Sequence, residues 1–467
     1  MATPTQRTTA EWQAADSAHF LHPFTDFKGL ARKGSRIIER AHNIYLWDSD
    51  GAKILDAMSG LWCVNVGYGQ QALVDAAAKQ MQQLPFYNAF FQTATPPAIA
   101  LAELLADVAP GFGHVFFSGS GSEGNDTIVR MVRRYWDVCG QPERTVIISR
   151  HNAYHGSTMA GASLGGMAGM HAQGGLPIPG ITHIEQPYWW EHGRPTSTRA
   201  GLTRDEFGLQ AARWLENRIL EIGADKVAAF IGEPVQGAGG VIIPPATYWP
   251  EIERICRKHG ILLVADEVIT GFGRTGRWFG SETMGFKPDL MTFAKGVTSG
   301  YIPLGGVLVG DRVAEALIER GGEFNHGYTY SGHPVACAVA LANIGLIREL
   351  GLVERVHDDV GPYLAAQYRE LAQHPLVGDA ETCGLMGALL LVKDKATGAA
   401  FAEGAEIGMA CRAHCFREGL IMRAVGDRMI IAPPLVITRA QIDEMVALIR
   451  RCLDLTLAQA RSEGWAR

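Results

Sequence analysis

The residues of this chain best suited to chemistry are two adjacent carboxylates, Asp266 and Glu267, and a lysine, Lys295, twenty-nine positions after the first. The carboxylates follow the apolar run of "ILLVADEVITGFGRTG", residues 261–276. A buried strand ending this way could hold magnesium against a nucleoside triphosphate. It could open a dinucleotide-binding turn, since Gly271, Gly273 and Gly276 spell G-x-G-x-x-G. It could also deliver one aspartate to a heterocyclic cofactor. The triphosphate option requires a G-x-x-x-x-G-K-[ST] loop, whose backbone and lysine cradle the phosphates. No such loop occurs in the chain. The dinucleotide option requires the glycines to follow the strand directly and open a helix. Here other residues intervene and "RTGRWFG" has neither helical period nor apolar face, so the glycines are expected to shape a tight irregular loop.

The third option makes a demand that can be checked elsewhere in the chain. A pyridoxal 5'-phosphate site requires an aspartate at the ring nitrogen, a lysine for the Schiff base and a phosphate cup. Lys295 stands just past the apolar "LMTFA", embedded in small residues. Strands ending at one sheet edge would bring Asp266 and Lys295 into the crevice where open α/β sheets bind ligands. The cup is supplied by "FFSGSGSEGNDTIVRM", which reads as strand, small-residue turn and helix start. There the backbone N–H groups of Gly121 and Ser122, the Ser122 hydroxyl and the helix dipole would hold a dianion, with Ser120 at the turn.

These groups need a framework, and the alternation of apolar runs with helical stretches provides one. Residues 114–117, 145–149, 227–232, 261–266 and 290–294 have the length and composition of buried strands. The fold class is therefore α/β: a large domain over residues 60–330 with a mostly parallel sheet covered by helices. Residues 1–59 and 331–467 are expected to build a smaller α+β domain from both chain ends. "NIYLWDSDGAKILDA" (43–57) reads as a hairpin turning at Asp50-Gly51, and Thr438 with Gln441 as the capping box of a C-terminal helix. In residues 73–84 the spacing predicts a helix burying Val74, Ala77, Ala78, Met81 and Leu84. The glycine-rich stretch 161–180 reads equally as a surface loop or as an active-site or interface loop.

Composition excludes several classes of function. The chain of 467 residues carries Lys+Arg 42 against Asp+Glu 48, a net charge of -6, and no basic tract, so no nucleic-acid partner is expected. No apolar run approaches the ~18–20 residues of a membrane span, and the N-terminus lacks the apolar core of a signal peptide, which points to a cytoplasmic protein. Cys411, His414 and Cys415 have helical spacing, but no second pair completes a tetrahedral site, so no metal is expected.

The motifs "SGSGSEGND", "YHGST", "GEPVQGAGG", "LLVADEVITGFGRTG", "AKGVTSGYIPLGG" and "GYTYSGHPVACA" stand in an order that resembles the class III aminotransferases of fold type I, over nearly the whole chain. "LHPFTD", "LWCVNVGYG", "LPFYNAFFQT" and "GLIMRAVGD" resemble the branch that transfers amines to pyruvate. The resemblance implies that Lys295 forms the Schiff base and shuttles the proton, and that Asp266 pairs with the pyridine nitrogen. It implies that Val268 packs under the ring, Tyr154 stacks above it with His155 alongside, and Glu233 joins an acidic network nearby. Thr329 would reach the phosphate of a partner subunit, which implies a homodimer at least, possibly a tetramer. Phe24, Trp62, Phe90, Phe91 and Tyr154 would wall the substrate pocket, and Arg423 would pair with the keto-acid carboxylate. The implied reaction is amino transfer from a primary amine to pyruvate, with putrescine or another polyamine as the favoured donor. Aromatic amines and ω-amino acids such as β-alanine are alternative donors, and a decarboxylase or aminomutase is an alternative on the same scaffold. Two residues depart from the family pattern: Gly124, where alanine is usual, and Thr382, where arginine is common.

Overall fold

The computed structural model describes residues 7–196 and 200–466. Its centre is a seven-stranded sheet in the order His114–Ser118, Gly305–Val309, Leu290–Phe293, Leu262–Asp266, Val227–Gly232, Val146–Arg150, Ile181–Ile184. Gly305–Val309 runs antiparallel to both neighbours and the other pairings are parallel. The sheet is covered on both faces, as the apolar runs predict. Alternation along Leu262–Asp266 shows how: Leu262 and Val264 join one core cluster with Ile128 and Val132, while Leu263 and Ala265 join another with Trp249 and Ile252. The strands Ile181–Ile184 and Gly305–Val309 carry no strong signal in the sequence. In the second, a Cβ on Gly305 would meet the Ser120 backbone at 2.6 Å and one on Gly306 the Phe116 carbonyl at 2.6 Å, so close approach demands residues of low strand propensity.

Two smaller sheets flank the first. One pairs Ile38–His42, Tyr45–Asp48 and Lys53–Asp56 with Leu420–Ile421, joining the two ends of the chain. The 43–57 hairpin forms with Gly51 at φ 83°. The other contains Val377–Cys383, Met386–Leu391, Arg428–Ile431 and Arg423–Val425. The helix Arg439–Ser462 opens on the Thr438–Gln441 capping box. No single helix among the described residues is long and apolar enough to cross a membrane.

The stripe expected on residues 73–84 is corrected. The helix spans Gln71–Gln83 and buries Leu73 and Gln80, while Val74 and Met81 are exposed. It packs through the Leu73–Ala77 side, and Gln80 can be buried because its amide donates to the Leu84 carbonyl (3.1 Å). The glycine-rich stretch divides: residues 161–166, the end of the helix Met159–Leu164 and the two glycines after it, are buried, whereas Gly169, Gln173, Gly174 and Gly175 lie at the surface. Cys411 and Cys415 are core residues, His414 bonds Gln459 (2.9 Å), and among the described residues no group could hold a metal.

Candidate active site

Parallel strands end at the same edge, and that edge is where the candidate residues gather. Ser118 leads into the 119–122 turn, Arg150 into Tyr154 and His155, Gly232 into Glu233, and Phe293 into Lys295. Asp266 is the last residue of its strand, opposite Thr292. A cavity of about 370 Å³ opens there, lined among others by Ser120, Gly121, Ser122, Tyr154, His155, Glu233, Asp266, Val268 and Lys295.

The two adjacent carboxylates separate by strand alternation. Asp266 Oδ2 lies 2.7 Å from His155 Nδ1 and accepts from Asn125 Nδ2 (2.8 Å), while its Oδ1 accepts from the Val268 N–H (3.1 Å). Glu267 turns away, taking the hydroxyl of Thr270 (2.5 Å) and the N–H groups of Gly280 (2.8 Å) and Ser281 (2.7 Å). It serves the loop, and Asp266 serves the cavity. Glu233 accepts from the Tyr154 N–H (3.1 Å) and the Gly237 N–H (2.8 Å). Burial pushes its carboxyl up, with the His155 charge opposing.

Lys295 adopts φ 46°, a left-handed conformation that costs a lysine about 1–2 kcal/mol. Asn343 holds the turn in place: its amide donates to the Gly296 and Val297 carbonyls (2.9 Å each) and accepts from the Ser299 hydroxyl (2.7 Å). Burial pulls the lysine amine below its ordinary value, against the Cys63 thiol, Asp266 and Glu233. A less basic lysine is freer at neutral pH to act as a base.

The turn before Gly121–Val138 forms the anion cup. Ser120 caps the helix, accepting from the Glu123 N–H (3.2 Å), which leaves the first-turn N–H groups of Gly121 and Ser122 without intrahelical partners. Gly121 is required for close approach, since a Cβ there would meet Val268 at 2.8 Å. Gly124 is also tightly packed: a Cβ would meet Thr292 Cγ2 at 2.7 Å. Thr382, the other departure, lies on Val377–Cys383 and does not line the cavity.

These residues fit pyridoxal phosphate. The cup offers free N–H donors for a phosphate, Asp266 is a buried carboxylate held by three donors, and Lys295 shares their cavity. The fully buried His155 ring holds that carboxylate in place through its Nδ1.

Other expected residues lie elsewhere. Phe24, 75% exposed, stands 6.3 Å from the Tyr154 ring, edge to face, at the mouth. Trp62 is buried with Val235 and Ile269, leaving its neighbours Leu61 and Cys63 to line the cavity. Arg423 is half-buried near enough for its charge to bear on Lys295, and no carboxylate pairs with it among the described residues. Phe90, Phe91 and Thr329 do not line the cavity; Phe91 is 91% exposed, and Phe90 lies against Gly327 in the segment that carries the exposed Thr329. Sequence reasoning missed Asn125 and Asn343. A polar residue on the buried face of an apolar helix, as in "LANIGLI", is the signal that could have found the second.

Comparison with known proteins agrees with this geometry. The family described as "Aminotransferase class-III" matches residues 30–453. The chain is 60% identical to the putrescine–pyruvate aminotransferase of Pseudomonas aeruginosa, over 97% of this chain and 98% of the relative. It is 40% identical to a mitochondrial gamma aminobutyrate transaminase of Solanum lycopersicum, over 93% and 84%. Among solved structures, a thermostable (S)-enantioselective omega-transaminase from Thermomicrobium roseum superposes with a TM-score of 0.92 at 43% identity, covering 97% of this chain and 99% of that one. The omega transaminase of Pseudomonas jessenii in complex with PMP gives 0.92 at 41% identity, covering 96% and 98%. This chain belongs to the class-III aminotransferases, which use pyridoxal phosphate.

Proposed function

We propose that this enzyme moves an amino group from a primary amine, with putrescine or another polyamine favoured, to pyruvate, releasing an aldehyde or ketone and L-alanine. The observation that carries this is the meeting of Lys295, Asp266 and the Gly121–Ser122 cup in one cavity; the donor and acceptor rest on the 60% identity to the P. aeruginosa enzyme.

When bound, pyridoxal phosphate supplies an electron sink for the bond broken at the substrate carbon. The N–H groups of Gly121 and Ser122 would hold the phosphate, the Asp266 carboxylate would support a protonated ring nitrogen, and Val268 and Tyr154 would confine the ring. Lys295 Nζ removes the proton from the donor's amine-bearing carbon and later returns one. The buried, hydrogen-bonded Asp266 is oriented by Asn125, His155 and the Val268 N–H. Arg423 receives the carboxylate of the acceptor, a pairing suited to a guanidinium without a carboxylate of its own. Amine and keto acid use the site in turn, so ping-pong kinetics follow.

The active unit in this reading is a homodimer, in which Thr329, Phe90 and Phe91 of one subunit complete the site of the other. The support is that Phe91 is exposed at φ 57° and lies with Phe90 on the surface that carries Thr329. Cytoplasmic placement and the division at residues 59/60 and 330/331 belong to the same proposal. The test is the visible absorption of the purified enzyme. Putrescine without keto acid should convert the cofactor band to that of the aminated cofactor, and pyruvate should restore it. An unchanged band with putrescine but conversion with an aromatic amine or β-alanine would replace the donor. No cofactor band after adding pyridoxal phosphate would overturn the assignment of Lys295.

A further inference from the structure

One wall of the cavity is a strained segment held by two buried charges. After the strand Lys53–Asp56 the chain turns sharply, with Ser59 (φ 49°), Gly60 (φ 65°) and Trp62 (φ 66°) in left-handed conformations. For serine and tryptophan this is costly and persists only where the surroundings over-determine it. The turn drives Trp62 into the core and leaves Leu61, 58% exposed, to line the cavity with Cys63.

The N–H groups of Trp62 and Cys63 bond back to the Met58 and Ser59 carbonyls, but those of Met58 and Gly60 need a side chain. Asp56, fully buried, accepts the N–H of Met58 (3.0 Å) and of Gly60 (2.6 Å), and the Tyr68 hydroxyl (2.7 Å). Arg274, also fully buried, donates to Ser59 Oγ (3.2 Å), Asn65 Oδ1 (2.9 Å) and the carbonyls of Leu385 (3.5 Å) and Pro433. Ser59 in turn donates to the Ala432 carbonyl (2.6 Å). The two charges make no direct ion pair; each grips the same segment. Burial pushes Asp56 up and pulls Arg274 down to about 10, and each charge opposes the other's shift. The glycine pattern after Asp266 thereby acquires a purpose. Gly273 (φ 94°) and Gly276 (φ 88°) bend the loop that places Arg274, and their closeness to Leu435 and His357 leaves no room for a side chain without adjustment.

We propose that Asp56 and Arg274 are positioning residues for donor specificity: they lock Met58–Asn65 in the conformation that presents Leu61 and Cys63 to the cavity beside Lys295. The length and bulk of amine admitted then depend on a wall whose shape is set outside the cavity. The specificity part rests on the amine-transfer reading, and the conformational part stands without it.

The decisive variant is Asp56→Asn, which keeps the shape but cannot accept all three donors. Two quantities are measured: the rate at which an aromatic disulfide labels Cys63, followed by mass spectrometry with no amine present, and kcat and KM for a series of mono- and diamines with pyruvate. Loss of one buried contact is expected to speed Cys63 labelling by about tenfold and raise donor KM by about tenfold. The preference among chain lengths should flatten, with kcat and the KM for pyruvate changing far less. Tyr68→Phe, which removes one donor and keeps the carboxylate, should move both readouts the same way by less, and answers the question if Asp56→Asn does not fold. Labelling and relative donor preference unchanged in the folded variants would overturn the proposal, as would a uniform loss of kcat for every donor at the parent's labelling rate. Faster labelling in an enzyme whose parent transfers no amine would retain the lock and remove the function it was placed in.

Discussion

Thr292→Val tests how Asn125, one of the donors to Asp266, is oriented. The Thr292 hydroxyl, fully buried, donates to Asn125 Oδ1 (2.7 Å) and so turns Asn125 Nδ2 toward the His155 carbonyl and Asp266 Oδ2, 2.8 Å each. Valine has nearly the same shape without the hydroxyl. The abandoned Oδ1 has no remedy, because reversing the amide would set it against two acceptors and forfeit two bonds. The cost is one buried acceptor left unpaired, about 1–3 kcal/mol, while the donors to Asp266 survive. At roughly 2 cal/mol/K of unfolding entropy per residue, 467 residues give about 1 kcal/mol/K, so Tm should fall by about 1–3 °C in scanning calorimetry. The cofactor's absorption should not change. The sharper measurement is a double-mutant cycle with Asn125→Leu, in which the valine should cost nothing because no amide is left to orient. Additivity within about 0.5 kcal/mol would refute the orienting role.

Two further outcomes are expected. His183 is held down to about 4 from its ordinary 6.5 by burial and by His171 and His151, and its Nε2 sits 2.8 Å from the Gly165 carbonyl. The unfolded chain therefore binds the proton first, so the stability this neutral ring contributes is present above pH 6.5 and is lost as pH falls toward about 4, by roughly 3 kcal/mol. Calorimetry of His183→Gln over that window should show a shallower acid limb, and a limb as steep as the parent's would sink the assignment. Arg423→Leu should raise the KM for pyruvate by about 10–100-fold through loss of a charged hydrogen bond, leaving the KM of a diamine donor nearly unchanged in steady-state assays.

Much of the framework was legible because buried parallel strands are short apolar runs, and their ends announce where side chains meet. "LLVAD" and "LMTFA" therefore place Asp266 and Lys295 at one edge from the sequence alone. Gly305–Val309 was not legible, since its glycines answer to neighbouring backbone rather than to strand propensity. The apolar count on residues 73–84 misled because a buried Gln80 can satisfy itself against a helix end. Asn125, Thr292 and Arg274 act through bonds to residues far along the chain, and spacing carries no information about such partners. Phe90, Phe91 and Thr329 entered only by family likeness, and within one chain they lie off the cavity.

The division of labour between Asp266 and Glu267 bears on which changes in length the enzyme tolerates. Neighbouring residues at a strand end face opposite sides of the sheet, so identity here is a matter of counting. One residue inserted at the Gly260 turn, between the helix Tyr248–His259 and the strand, can be absorbed before the strand begins. One residue inserted within Leu262–Asp266 would slip the strand against Leu290–Phe293, turn the aspartate toward the Gly280–Ser281 backbone and present another residue to the cavity. The chain would keep every side chain needed for the chemistry, yet the numbering of one strand by parity would have moved its carboxylate out of reach.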